Sequence, residues 1–152
     1  MDIQIEKASL ADAEEILLLQ RLAYRSEAEI YNDFSIEPLV QTVEQLQSQF
    51  EDHIILKAVL DETIVGSVRA IDRDGTCFIG KLMVHPSHQY KGIGKMLMHA
   101  VEGLFPISRY ELFTGSKSES NIALYAKLGY QVFQEREVTP GFRMVYLEKF
   151  TV

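Results

Sequence analysis

The stretch that most constrains this chain runs from an apolar segment ending at Val84, through His85-Pro86-Ser87-His88-Gln89-Tyr90-Lys91-Gly92-Ile93-Gly94, into a patterned run behind it. There Ile93, Met96, Leu97, Ala100, Val101 and Leu104 recur at three- and four-residue intervals, which predicts an amphipathic helix. A strand that delivers a polar, glycine-containing loop onto a helix start presents unpaired backbone N–H groups at the positive end of the helix dipole. A diphosphate suits such a junction. Gly92 and Gly94 keep side chains away from it, and Lys91 and Lys95 bring positive charge beside it. No Gly-Lys-Ser/Thr closes the segment, and Leu97 stands where a dinucleotide fingerprint needs a third small residue, so neither the P-loop nor the Rossmann pattern applies.

The remaining elements predict one domain with an α+β order and a mixed sheet. Ile3 to Ala8 alternates as a half-buried strand, and Ser9 with Asp12 opens a helix through Ala13, Ile16, Leu17 and Leu22. Between Ser26 and Gln41 the periodicity fades around Asn32-Asp33 and Pro38, which predicts an irregular, exposed bridge before Thr42 caps a short helix. Three strands follow, Ile54 to Leu60, Ile64 to Ile71 and Cys77 to Val84, joined by turn residues as an antiparallel meander. After the 93–104 helix come a strand at Tyr110 to Thr114, a helix at Asn121 to Leu128 closed by Gly129, and a hairpin of 130–138 with 142–150 around Thr139-Pro140-Gly141. With no repeat or linker, residues 1–152 read as a single domain.

A net charge of −7 opposes binding to nucleic acid or to an anionic membrane and favours a cationic partner. The start of the chain lacks a signal-peptide pattern and no run has the length of a membrane span, so a cytoplasmic location is expected. Cys77, the single cysteine, reads as a small buried hydrophobe; as a nucleophile it would need a base, and His85 and His88 follow it in the chain. His53, His85, His88 and His99 show no ligand spacing with carboxylates, and no metal is expected.

Gln89-Tyr90-Lys91-Gly92-Ile93-Gly94 resembles the Gln/Arg-x-x-Gly-x-Gly/Ala pyrophosphate loop of the GNAT acyltransferases. Leu82-Met83-Val84-His85-Pro86 looks like that family's fourth strand, and Asn121-Ile122-Ala123-Leu124-Tyr125-Ala126-Lys127-Leu128-Gly129-Tyr130 resembles its second coenzyme A motif. The order of elements matches as well. The resemblance implies a mixed, mostly antiparallel central sheet splayed between strands 4 and 5 and flanked by about four helices. It also implies acetyl-CoA as cosubstrate, with the pantetheine arm in the gap between 80–84 and 110–114. Leu82, Met83, Val84, Gln89 to Lys95, Asn121, Tyr125 and Lys127 would then hold the cofactor.

The implied activity is direct acetylation of a primary amine on a small molecule. A backbone N–H near Met83 or Val84 would meet the oxyanion, a β-bulge at Val84 aiming it inward, and Tyr125 would serve the departing thiolate. Here the sequence departs from many relatives: where they carry a Glu in the fourth strand it has Gly80 and Lys81. The base is then sought at Glu27, Glu29 or Asp33, among Tyr24 and Tyr31, with His85 as an alternative. Arg69, in the strand bordering the implied cleft, would either make a structural salt bridge or receive a substrate carboxylate, whereas the acidic residues from Glu27 to Glu37 favour a polyamine or an amine-bearing antibiotic. Tyr31, Asp33 and Arg69 are thus the candidate substrate contacts. Two other readings stand beside this one: a non-catalytic coenzyme A module, and an enzyme acting on a protein N-terminus or lysine. A homodimer through the final hairpin at Val145-Tyr146-Leu147 is also plausible.

Overall fold

A computed structural model describes residues 2–151. Its helices are α1 (Ala13–Ala23), α2 (Arg25–Tyr31), α3 (Glu37–Val40), α4 (Val43–Gln49), α5 (Ile93–Leu104) and α6 (Glu119–Lys127). Its strands are β1 (Gln4–Lys7), β2 (Ile54–Leu60), β3 (Thr63–Arg73), β4 (Thr76–Val84), β5 (Arg109–Gly115), β6 (Gln131–Thr139) and β7 (Phe142–Phe150). They form one seven-stranded sheet in the order β1-β2-β3-β4-β5-β7-β6. Every pairing is antiparallel except β4 with β5.

The sheet divides the apolar interior in two. On one face α5 sinks Ile93, Leu97, Met98 and Val101 into a core shared with Leu56, Val68, Ile79, Leu112, Tyr125 and Leu147. Each of these four side chains stabilises the fold by about 1.5–3 kcal/mol on burial. On the other face α1 and α4 pack Ile16, Leu17, Leu19 and Leu46 onto Ile55, Ile64 and Met83. The helix starts follow their caps: the Thr42 hydroxyl accepts from the Gln45 N–H at 3.2 Å while the Gln45 side chain accepts from the Thr42 N–H at 2.9 Å.

Residues 26–41 are not an irregular bridge. They hold α2 and the four-residue α3, and the residues that looked like breakers are helix ends. Asn32 closes α2 in the left-handed conformation with φ 50°, and Pro38 lies in the first turn of α3, where its missing N–H leaves no bond unmade. The final hairpin also sits differently from a free edge. β7 inserts between β5 and β6, so Val145 and Leu147 are buried and β6 forms the exposed edge. No helix among the described residues is long and apolar enough to cross a membrane.

Candidate active site

The junction between β4 and α5 is built by backbone geometry. Gly92 caps α5 with φ 81°, in the region that a side chain disfavours, and a β-carbon there would meet nothing within 4 Å. The first bond of the helix is Met96 N–H to Gly92 C=O at 3.0 Å, so the N–H groups of Ile93, Gly94 and Lys95 precede the helical ladder and face outward. Gln89, Tyr90, Lys91 and Lys95 are exposed around this point, and Tyr90, also left-handed with φ 63°, is 96% exposed. Ile93 contributes only its backbone, because its side chain is in the core. A β-carbon on Gly94 would lie 3.4 Å from Leu124 and 3.9 Å from both Leu82 and Val84, which puts the helix start, α6 and β4 around one space. His85 shapes the approach: its Nδ1 accepts the Ser87 N–H at 3.0 Å. Outward-facing donors, open space around Gly92 and two lysines fit the diphosphate of coenzyme A.

Beyond that junction the sheet parts. β4 and β5 pair at only three positions, Thr76 with Arg109, Cys77 with Tyr110 and Phe78 with Glu111, and then diverge. The bulge expected at Val84 lies earlier, where β3 goes from Ser67 to Arg69 while β4 goes from Met83 back to Gly80; Lys81 there has φ 53°. It resets the alternation so that Met83 faces the α1 core while Leu82 and Val84 face the α5 core. Val84 opposes Gly66, and the flanking His85 N–H donates to Val65 C=O at 2.7 Å. That is the pattern of a pair that exchanges no bonds, so the Val84 N–H points away from β3 toward the side that β5 has left.

Across this opening lies a set of polar side chains from distant segments. Tyr125 on α6 is 6% exposed, and burial, then the charge of Glu27, holds its phenol well above the ordinary value. Tyr24 at the end of α1 is raised by burial and then by Tyr125, with Arg69 opposing and Glu27 and Glu37 adding, so its phenol sits among all four. Glu27 accepts from the Ser118 hydroxyl and, at 3.5 Å, from the Asn121 amide. Tyr31 accepts the Lys117 N–H at 2.9 Å and packs on Phe142 with ring centroids 4.7 Å apart.

Several sequence-based candidates fall elsewhere. Arg69 makes neither a salt bridge nor an opening onto the cleft. It is 2% exposed, and its terminal nitrogens donate to Gln41 at 3.2 Å, to Gln49 at 2.9 Å and to Gln20. Burial pulls its guanidinium down to about 10, against the upward pull of Tyr24 and Glu37. Glu29 lies on the outer side of α2, 4.0 Å from Arg25. Asp33 is exposed and spent on a local turn, accepting the Ser35 hydroxyl at 2.5 Å and the Ser35 N–H at 2.9 Å, which together lower its pKa. Lys127, two residues past Tyr125, is exposed on another side of α6. Cys77 is wholly buried and burial pushes its thiol up to about 12, so it is no nucleophile.

Sequence reasoning missed Ser118, the three glutamines around Arg69, and the ion pair of Lys81 with Glu37 at 2.8 Å. None carries a local pattern that would have flagged it.

Residues 15–130 match the model of the acetyltransferase (GNAT) family. Among solved structures, PaiA N-acetyltransferase from Thermoplasma acidophilum in complex with coenzyme A is 22% identical with a TM-score of 0.86, covering 99% of this chain and 100% of that one. The ribosomal-protein-S18-alanine N-acetyltransferase from Escherichia coli is 13% identical with a TM-score of 0.82, covering 98% of this chain and 94% of that one. YncA from Salmonella typhimurium, with its cofactor acetyl-CoA, is 16% identical with a TM-score of 0.77, covering 99% of this chain and 94% of that one. An open helix start, a sheet split behind it and a family match across both together decide the assignment: this chain belongs to the GNAT family of acetyltransferases.

Proposed function

We propose that the protein transfers an acetyl group from acetyl-CoA to a primary amine of a small molecule, by direct attack of the amine on the thioester. The observation that carries this reading is the outward-facing Val84 N–H in a sheet that has parted, next to the open start of α5. Acetyl-CoA, when bound, supplies the activated acetyl group. The N–H groups of residues 93–95, with Lys91 and Lys95, would hold its diphosphate, and the unpaired edges of β4 and β5 would take the amides of its pantetheine arm.

The Val84 N–H donates to the carbonyl oxygen as negative charge grows on it. Tyr125 donates a hydrogen bond to the sulfur as it leaves. Because the phenol is raised, full transfer of its proton to a thiolate, whose ordinary pKa is about 8.5, runs uphill, and stabilisation rather than donation is its role. Glu27 is the carboxylate whose charge acts on this hydroxyl, and it would attract the amine and receive its proton, directly or through water.

Calorimetric titration with acetyl-CoA, followed by thiol release with a panel of small amines, tests the reading. Saturable binding and amine-dependent release are expected. Absence of binding overturns the diphosphate site, and binding with no release for any amine overturns transfer.

A further inference from the structure

We infer that a second copy of this chain docks on the open face of β5, β7 and β6, about a two-fold axis that runs along a row of three aromatic rings. The inference is independent of the acetyl transfer proposed above. Leu112, Val145 and Leu147 are buried in the core under α5, so by strand alternation Phe113, Tyr146 and Glu148 look out from the opposite face. The other core, under α1 and α4, takes its strand residues from β2, β3 and β4. Beyond β4 that face is left open: Phe113, Phe133 and Phe150, on β5, β6 and β7, are 54%, 39% and 66% exposed. Exposed rings gathered beside charged groups mark a surface that a partner covers. Of Val145, Tyr146 and Leu147, only Tyr146 is turned outward to meet one.

The face carries its own complement. Tyr146 lies 5.7 Å from Phe113 and 6.4 Å from Phe133 between ring centroids, which makes a row across all three strands. Two residues along β7 from Tyr146, Glu148 stands opposite Glu111, and the two carboxylates share one cation: Arg109 is 2.9 Å from Glu111 and 3.0 Å from Glu148. One negative charge is left over there. Two residues the other way, Met144 stands opposite Arg136, whose guanidinium lies 5.6 Å from the centre of the Tyr146 ring and is in no ion pair among the described residues. Opposite charges thus stand about 7 Å to either side of the aromatic row. A two-fold axis along the row exchanges its two sides, so each copy's Arg136 comes over the other copy's surplus carboxylate and the rings meet their own counterparts. Two sheets stacked in this way lie about 10 Å apart, a gap that such side chains fill. The local match is what overcomes the repulsion between two chains that each carry −7. Pairing two β6 edges about the middle of the strand would instead set Glu135 against its own copy, which like charges oppose.

Sedimentation equilibrium tests the interface on the unaltered protein and three single variants. The unaltered protein is expected to be mostly dimer at about 100 μM. Arg136→Glu and Phe113→Ser, both at exposed positions, should each raise the dissociation constant by about tenfold or more. Lys7→Glu makes the same change in net charge on β1, at the opposite edge of the sheet, and should leave the constant within about threefold. A monomer at that concentration overturns the proposal and leaves the face to a different partner. Failure of either face variant to weaken the dimer overturns it as well, because another surface then holds the copies together. An equal loss from Lys7→Glu does the same, since overall charge and not this face would then govern association.

Discussion

The two walls of the cleft are made by opposite means. The proposed cofactor wall comes from one unbroken segment, residues 82–95, and works through backbone: the edge of β4 left unpaired, a left-handed Gly92 and an N-terminal turn. The proposed acceptor wall is assembled from the end of α1, from α2, and from α6 with the loop before it, and works through side chains that meet across distances of up to 94 positions in the chain, as Glu27 meets Asn121. A backbone wall tolerates most substitutions except those that change its dihedral angles. A side-chain wall can be altered by any of its members, which suits it to setting which amine is accepted.

The comparison can be broken most forcefully at the point where the walls meet. Tyr125→Phe keeps the ring and removes the hydroxyl, so turnover should fall about a hundredfold while affinity for acetyl-CoA stays within about twofold. Steady-state kinetics beside calorimetry would show it, and a parallel loss of affinity would put Tyr125 in the cofactor wall alone. A smaller effect is expected from Gly92→Val, which places a branched side chain at φ 81° and should weaken acetyl-CoA binding by about tenfold, at about 1–3 kcal/mol of strain. If binding is unchanged, the wall is not made of backbone. The smallest effect separates two carboxylates on one helix: Glu29→Gln should leave kcat/KM within about twofold, whereas Glu27→Gln should lower it by about tenfold or more. Equal behaviour of the two would remove Glu27 from the site.

This division also explains what could be read in the sequence. Apolar periodicity located α1, α4, α5 and every strand, and the glycine-bearing loop located the cofactor wall, because both signals are local. Local pattern misleads at two places where a residue's role depends on its partners. Asn32 and Pro38 look like breaks, yet packing of α1 against α3 lets them serve as the end of one short helix and the start of another. Arg69 looks like an anion receptor, yet Gln20, Gln41 and Gln49, from three separate segments, satisfy it inside the protein.

The short pairing of β4 with β5 has one further consequence, visible in amide hydrogen exchange. In most sheets the innermost strands exchange last, because both of their neighbours hold their N–H groups. Here Val84 stands on the fourth of seven strands and yet has an N–H that no neighbouring strand takes. Deuterium uptake therefore resembles that of a rim strand at the geometrical middle of the sheet, and a ligand that fills the split is recorded there as protection before any turnover occurs.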